Sequence, residues 1–288
     1  MLQGIGGFYY VETEERTIEC KARGIFRKKG ETPLAGDLVS ITVGDDGKGV
    51  LEAILPRKNH LIRPPVANLD CLVIVTATKD PEPNLPVLDK MIAIAEHKGI
   101  EPILVFNKSD LASPEPLLQL YRTAGFTALA VSAETGEGVE ELRRVLRGKV
   151  AAFSGNSGVG KSSILNRLDE RLGLETAEIS TVLGRGKHTT RSSVLYAQPG
   201  GGYFVDTPGF SSLDMERLEW IHKDDLPYCF RDFTPYIGAC KFTSCRHLKE
   251  AGCAVLQAAN EGKIAPSRLQ TYRSMMEEAL SRKDWELR

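Results

Sequence analysis

Residues Gly155, Asn156, Ser157, Gly158, Val159, Gly160, Lys161 and Ser162, with Ser163 after them, fit the spacing G-x-x-x-x-G-K-[ST]. Glycines at these positions let the backbone wrap closely around phosphate, with N–H groups pointing inward. The run follows the apolar stretch VAAFS and precedes the helical pattern SSILNRL, which is the context such a loop requires. A helix beginning there adds positive potential at its N-terminus. Lys161 is then placed to reach the β and γ phosphates, and Ser162 to bind Mg²⁺. The chemistry indicated is the binding, and with Mg²⁺ the hydrolysis, of a nucleoside triphosphate.

Base choice is expected elsewhere. Asn107-Lys108-Ser109-Asp110 ends the apolar run EPILVF and resembles the N-K-x-D guanine signature of the GTPase superfamily. A carboxylate at Asp110 can accept two hydrogen bonds, from guanine N1 and N2, which adenine cannot supply. Asn107 would brace the loop and touch the base, and the stem of Lys108 would lie along the ring. Ser132-Ala133, after the next apolar run, resembles the S-A motif whose backbone N–H reads guanine O6. GTP and GDP are therefore the expected nucleotides.

Asp206-Thr207-Pro208-Gly209 resembles the D-x-x-G element that senses γ-phosphate. Asp206 would hold Mg²⁺ through water, and the Gly209 N–H would contact the phosphate. GTPases of the usual arrangement run phosphate loop, switch threonine, D-x-x-G, N-K-x-D, S-A. Here N-K-x-D and S-A come before the phosphate loop and D-x-x-G comes last, a circular permutation. A compact sheet tolerates this when the original termini lie close together. The D-x-x-G segment then leads straight into the C-terminal region, so nucleotide state could pull on it.

Between phosphate loop and D-x-x-G lies Gly-Arg-Gly-Lys-His-Thr-Thr-Arg at 184–191. A threonine hydroxyl there can complete the Mg²⁺ shell; Thr190 is slightly favoured over Thr189, and spacing leaves both open. A water-orienting glutamine often follows D-x-x-G, but this chain has Phe210. His188 can orient or deprotonate water; a solvated loop histidine is the alternative reading. Slow intrinsic hydrolysis follows, accelerated by a partner that orders this stretch.

Cys240, Cys245, His247 and Cys253 follow the spacing C-x4-C-x-H-x5-C. Three thiolates and an imidazole in a tight loop suit a tetrahedral structural Zn²⁺ with no open position for chemistry. Cys20, Cys71 and Cys229 read instead as buried free cysteines. Lys241, Arg246 and Lys249 interleave with the ligands, either as phosphate-backbone contacts or as a solvated charged face.

These groups need scaffolding, and the patterning supplies it. The first sixty or so residues hold about five short strand-like runs broken by turn signals such as GDDGKG, which suits a small OB-fold barrel. Arg63-Pro64-Pro65 makes a stiff boundary. Apolar runs beginning at Leu69, Glu101, Phe126, Val150 and Gly201 then alternate with helical patterns. That rhythm favours a mostly parallel sheet with helices on both faces. The expected fold class is α/β: an OB-fold domain over 1–65, a permuted GTPase domain over 66–220 and a mostly helical zinc domain over 221–288. The 288 residues accommodate three such units.

Net charge is −1 over the chain, but +1 over 1–63, −4 over 64–220 and +2 over 221–288. The outer regions are mildly basic and the centre is acidic. A strongly basic, nonspecific nucleic-acid binder is excluded; docking on a shaped RNA site is not. No apolar run is long enough to span a membrane, and no signal-peptide pattern opens the chain.

The combination of an OB-like barrel, a permuted GTPase and C-x4-C-x-H-x5-C resembles the ribosome small-subunit-dependent GTPase A family, also called RsgA/YjeQ. The resemblance extends over nearly the whole chain. Its most specific parts are the motif order, the G-x-G-x-H-T-T stretch and the zinc spacing. It implies a bacterial cytoplasmic GTPase that binds the 30S subunit late in maturation, is stimulated by it and leaves after hydrolysis. It further implies that barrel and zinc domain contact 16S rRNA and that His188 is the catalytic histidine. A monomer is expected. The basic N-terminal extension of some members is not seen before the barrel, which puts any contacts it makes in doubt. The competing readings are a nucleotide-stabilised RNA-binding scaffold and a permuted GTPase serving the large subunit.

Overall fold

Residues 1–24, 26, 30–62, 64–174, 193–206 and 220–282 are described by the structure, a computed structural model. Strands β1 (Gln3–Ile5), β2 (Phe8–Glu12), β3 (Thr17–Ala22), β4 (Val39–Val43) and β5 (Gly49–Ile54) form one sheet in the order β1-β2-β3-β5-β4. The chain passes from β3 to the far edge and returns as β5 parallel to β3, a Greek-key path suited to an OB-fold. Val11, Ile18 and Cys20 make its small core. The strand order is that of the expected OB-fold barrel. Among the described residues no ladder joins β4 to β1. The chain beside β1 is bonded elsewhere: the Leu195 N–H donates to the Leu2 carbonyl at 3.0 Å. The two-residue strands β6 (His60–Leu61) and β7 (Val66–Ala67) pair antiparallel where the chain leaves this sheet.

The second sheet contains β8 (Cys71–Ala77), β9 (Glu101–Asn107), β10 (Thr127–Ala130), β11 (Val150–Ser154), β12 (Val194–Ala197) and β13 (Tyr203–Asp206). Their order is β10-β9-β8-β11-β13-β12. All neighbours are parallel except the β12–β13 pair. β8 to β10 wind outward on one side and β11 to β13 on the other. The winding therefore reverses between β8 and β11, and an α/β sheet places its ligand crevice at such a reversal, beyond the C-terminal strand ends.

Helices α1 (Leu85–His97) and α2 (Glu115–Thr123) cover one face; α3 (Val139–Leu146) and α4 (Lys161–Leu168) cover the other. Leu72, Ile74, Leu104 and Phe106 pack with α1 and α2, while Cys71, Val73, Val75 and Val105 pack with α3 and α4. Burial on both faces is why these strands read as unbroken apolar runs. β12 escaped the sequence reading. It is an antiparallel edge strand whose one buried residue is Leu195, so it lacks that apolar signal.

Two short 3-10 turns, Leu226–Cys229 and Arg231–Tyr236, precede α5 (Ala254–Asn260) and α6 (Pro266–Ser281). Phe230, Phe233, Val255, Tyr272 and Met276 share one continuous core with Met91 of α1 and Tyr121 of α2. The fully buried Arg268 of α6 bonds Asp89 of α1 at 2.8 Å and Asp232 at 2.7 and 2.8 Å. Arg231 pairs with Glu96 at 2.7 Å. The C-terminal segment is thereby locked onto the helices behind the guanine segment. No helix among the described residues is long and apolar enough to cross a membrane.

Candidate nucleotide and metal sites

The phosphate loop follows β11 and ends in the first turn of α4, at the winding reversal. Gly155 and Gly160 are required there by sterics as well as by φ. A Cβ on Gly155 would collide with the Val75 carbonyl, and one on Gly160 with Asn107 Nδ2. Both take positive φ, 146° and 90°, where side chains are disfavoured. Val159 is buried, anchoring the loop, while Ser157 and Gly158 are exposed and Asn156, Ser162 and Ser163 are half-buried. The Lys161 ammonium donates to the carbonyls of Gly155 and Asn156 at 2.6 and 2.9 Å. Burial lowers its pKa; an anion in the loop would oppose that shift.

The guanine segment closes β9 beside this loop. Asn107 is buried; its Nδ2 donates to the Val159 carbonyl at 2.8 Å, and its Oδ1 accepts the Ala133 N–H at 3.1 Å. Phosphate loop, N-K-x-D and S-A are thus joined through one carboxamide. Lys108 has a left-handed φ of 61°, which turns the chain sharply after the strand. Its carbonyl accepts from Thr78 Oγ1 at 2.6 Å, and its ammonium reaches the Asp80 carbonyl. Asp110 Oδ1 accepts from Ser132 Oγ at 2.6 Å, leaving Oδ2 to face other donors. The Ala133 N–H, expected to read guanine O6, is already committed to Asn107, so a guanine would have to share it. Thr78 was not singled out from sequence, since a threonine ending a strand carries no motif.

Asp206 closes β13, its backbone paired with Val194. His188, Thr189, Thr190 and Gly209 lie outside the described residues.

The four expected metal ligands converge. Their donor atoms lie within 4.8 Å of one another. His247 Nδ1 stands 3.6, 3.5 and 3.3 Å from the Sγ atoms of Cys240, Cys245 and Cys253, and Cys240 Sγ is 3.9 Å from Cys253 Sγ. Tetrahedral Zn²⁺ with bonds of about 2.0–2.3 Å separates its ligand atoms by about 3.5–3.8 Å, so the donor set fits that ion in chemistry and in spacing. Burial, with the neighbouring thiols, pushes Cys245 up to about 12, which a bound cation would reverse. His247 adopts φ 58° and packs against Phe233 and Tyr272.

Glu250 holds this loop in shape, and no sequence pattern marked it. Its carboxylate accepts the N–H groups of Arg246, Leu248 and Lys249 at 2.8, 2.8 and 3.0 Å. Burial alone would raise its pKa, but these bonds hold it at about 2. Cys20, Cys71 and Cys229 are buried and apart from the cluster.

Comparison with known proteins adds a second line. A model of the RsgA GTPase matches residues 54–216, and a model of the RsgA N-terminal domain matches residues 1–51. A small ribosomal subunit biogenesis GTPase RsgA of Caldanaerobacter subterraneus subsp. tengcongensis is 45% identical over 281 residues, covering 96% of this chain and 94% of its own. The protein of the same name from Alkaliphilus metalliredigens is 43% identical, covering 96% of each. Among solved structures, YjeQ from Thermotoga maritima superposes with a TM-score of 0.80 at 35% identity, over 98% of this chain and 99% of that one. YloQ, described as a circularly permuted GTPase, gives 0.79 at 33% identity, over 98% and 94%.

Proposed function

This chain belongs to the RsgA GTPase family and is a GTP-hydrolysing enzyme, and we propose that its hydrolysis serves a late step in maturation of the 30S ribosomal subunit. A role in small-subunit biogenesis is supported by its relatives, which are small ribosomal subunit biogenesis GTPases by name. The finer reading is that the chain docks on 16S rRNA through its N-terminal and C-terminal regions, acts as a cytoplasmic monomer, is stimulated by the subunit and departs after hydrolysis. The observation supporting a guanine-nucleotide site is the convergence of phosphate loop and guanine segment on Asn107; the family supports turnover over a passive scaffold.

In this reading Gly155 to Ser163 cradle the phosphates, and Lys161 balances their charge. Asp110 takes guanine N1 and N2, with Asn107, Lys108, Ser132 and Ala133 shaping the base pocket. Ser162, Asp206 through water, and Thr190 or Thr189 would hold Mg²⁺, which neutralises charge developing on the transferred phosphoryl group. The Gly209 N–H senses the γ-phosphate. His188 orients the attacking water, since Phe210 cannot. Cys240, Cys245, His247 and Cys253 hold a structural Zn²⁺. Residues 1–65, 66–220 and 221–288 serve as RNA-binding, GTPase and zinc units.

GTP turnover with purified 30S subunits, with 50S subunits and with neither tests the proposal. Stimulation by 30S alone supports it. Stimulation by 50S alone favours large-subunit work, and no turnover under any condition favours the scaffold. His188→Ala should lose the stimulated rate; an unchanged stimulated rate removes the histidine from the mechanism.

A further inference from the structure

Recognition of guanine, as proposed above, depends on the short loop that begins at Ser132. Three side chains from different places hold it. Asp110 accepts from Ser132 Oγ at 2.6 Å, and Asn107 Oδ1 accepts the Ala133 N–H at 3.1 Å. Both of these belong to the guanine segment. The third does not. Arg167 Nε donates to the Ala133 carbonyl at 2.8 Å, and Arg167 Nη2 donates to the Glu134 carbonyl at 2.6 Å.

Arg167 lies on α4, the helix that starts at Lys161 and directs its N-terminus to the phosphate loop. The planar guanidinium fork places two donors at fixed spacing, which suits two consecutive carbonyls and which a lysine cannot reproduce. The helix end carrying it is itself fixed: Arg143 Nη2 donates to the carbonyls of Arg167 and Leu168 at 3.0 and 3.3 Å. Ala133 thus turns its carbonyl to α4 and its N–H to Asn107. The gripped carbonyls lie in the two peptide planes that follow the Ala133 Cα, and the N–H lies in the plane before it; fixing the later planes holds that Cα in place, and the Asn107 bond then sets the remaining turn of the N–H.

We propose that Arg167 is a positioning residue for guanine, holding the base loop so that the Ala133 N–H, which donates to Asn107, can be shared with O6, and coupling the phosphate helix to that loop. It touches no part of the nucleotide in this role. The inference rests on the guanine-site reading, and the test separates the two.

Affinities of the whole chain for GDP, ADP and 2-aminopurine riboside diphosphate, which lacks O6 and with it the N1 hydrogen, are measured by calorimetry at fixed Mg²⁺; the loss at N1 is common to wild type and variants, so the comparison is between proteins for each ligand. The wild-type chain should prefer GDP to both. Arg167→Ala should weaken GDP about three- to tenfold, the range for losing a positioned hydrogen bond, and change the O6-free analogue less than about twofold. Arg167→Lys, with its donors on one compact ammonium and no planar fork, should fall between. A thermal unfolding midpoint near that of the wild type shows that the fold persists, and the lysine variant carries the comparison if the alanine variant does not fold. Equal weakening of GDP and the analogue, or no change in either, overturns the role of Arg167 while leaving the guanine site standing. A wild-type chain with no preference for GDP over ADP overturns both.

Discussion

Asn107 Nδ2 donates to the Val159 carbonyl at 2.8 Å across 52 residues of sequence, so one buried carboxamide spans the guanine segment and the phosphate loop. The same side chain accepts the Ala133 N–H. Permutation changed the order of these loops along the chain but not their meeting point, because strand ends at the winding reversal converge whatever order they are threaded in.

Asn107→Ala would leave the Val159 carbonyl and the Ala133 N–H without these partners, each at a cost of about 1–3 kcal/mol. GDP affinity should fall at least about tenfold, together with the unfolding midpoint. Asn107→Asp keeps an acceptor for Ala133 but sets an oxygen against the Val159 carbonyl, so it should not rescue binding. Calorimetry and thermal unfolding on both variants check this.

Asp110→Asn replaces one of two acceptor oxygens with a donating NH2 group. The remaining oxygen can still accept from N1, but guanine N2 meets an NH2 group, while the O2 of xanthine gains a donor. GTP turnover at low substrate should drop by about two orders of magnitude or more, and XTP turnover should rise. Rates measured with both nucleotides decide it; an unchanged preference for GTP would remove Asp110 from base recognition.

Elemental analysis should find about one zinc per chain, held by the three thiolates and the imidazole. Cys253→Ser should lose the metal and lower the unfolding midpoint, because binding energy here is folding energy. Chelation should have the same effect on the wild-type chain and little further effect on the variant.

Glu250 gives a pH signature. Its folded pKa, about 2, lies below the ordinary 4.5. Its contribution to stability is therefore complete above about pH 4.5 and is lost as pH falls towards 2. The difference in unfolding midpoint between the wild type and Glu250→Ala should stay constant from about pH 7 to 5 and narrow below that. A gap that widens in acid would contradict the assignment.

Arg268 is fully buried between Asp89 and Asp232, and Tyr121 Oη donates to the same Asp89 oxygen at 3.0 Å. Arg268→Met leaves two buried carboxylates without their cation and should cost about 3–5 kcal/mol. Adding Asp89→Asn and Asp232→Asn should recover part of that loss. Denaturant unfolding of the single and triple variants measures both steps.

The phosphate loop, the guanine segment and the cysteine–histidine spacing were legible because each is a local run whose chemistry depends on close neighbours in the chain. The strands β8, β9 and β11 were legible because burial on both faces leaves a continuous apolar stretch. Other features depend on which distant segments meet. β12 is held by one antiparallel partner at an edge, and an edge strand needs little apolar character. The order β1-β2-β3-β5-β4 follows from pairings among short, half-polar strands whose composition does not specify their partners. Arg167 and Glu250 bond backbone carbonyls and N–H groups, which every residue carries, so no residue type at the receiving end could announce them. Arg268 looks like a solvated helix charge until α1 and the C-terminal turns close over it. The chemistry could thus be read along the chain, while the alignment of its loops and the locking of the C-terminal segment arose only from packing, which brings together groups that linear order keeps apart.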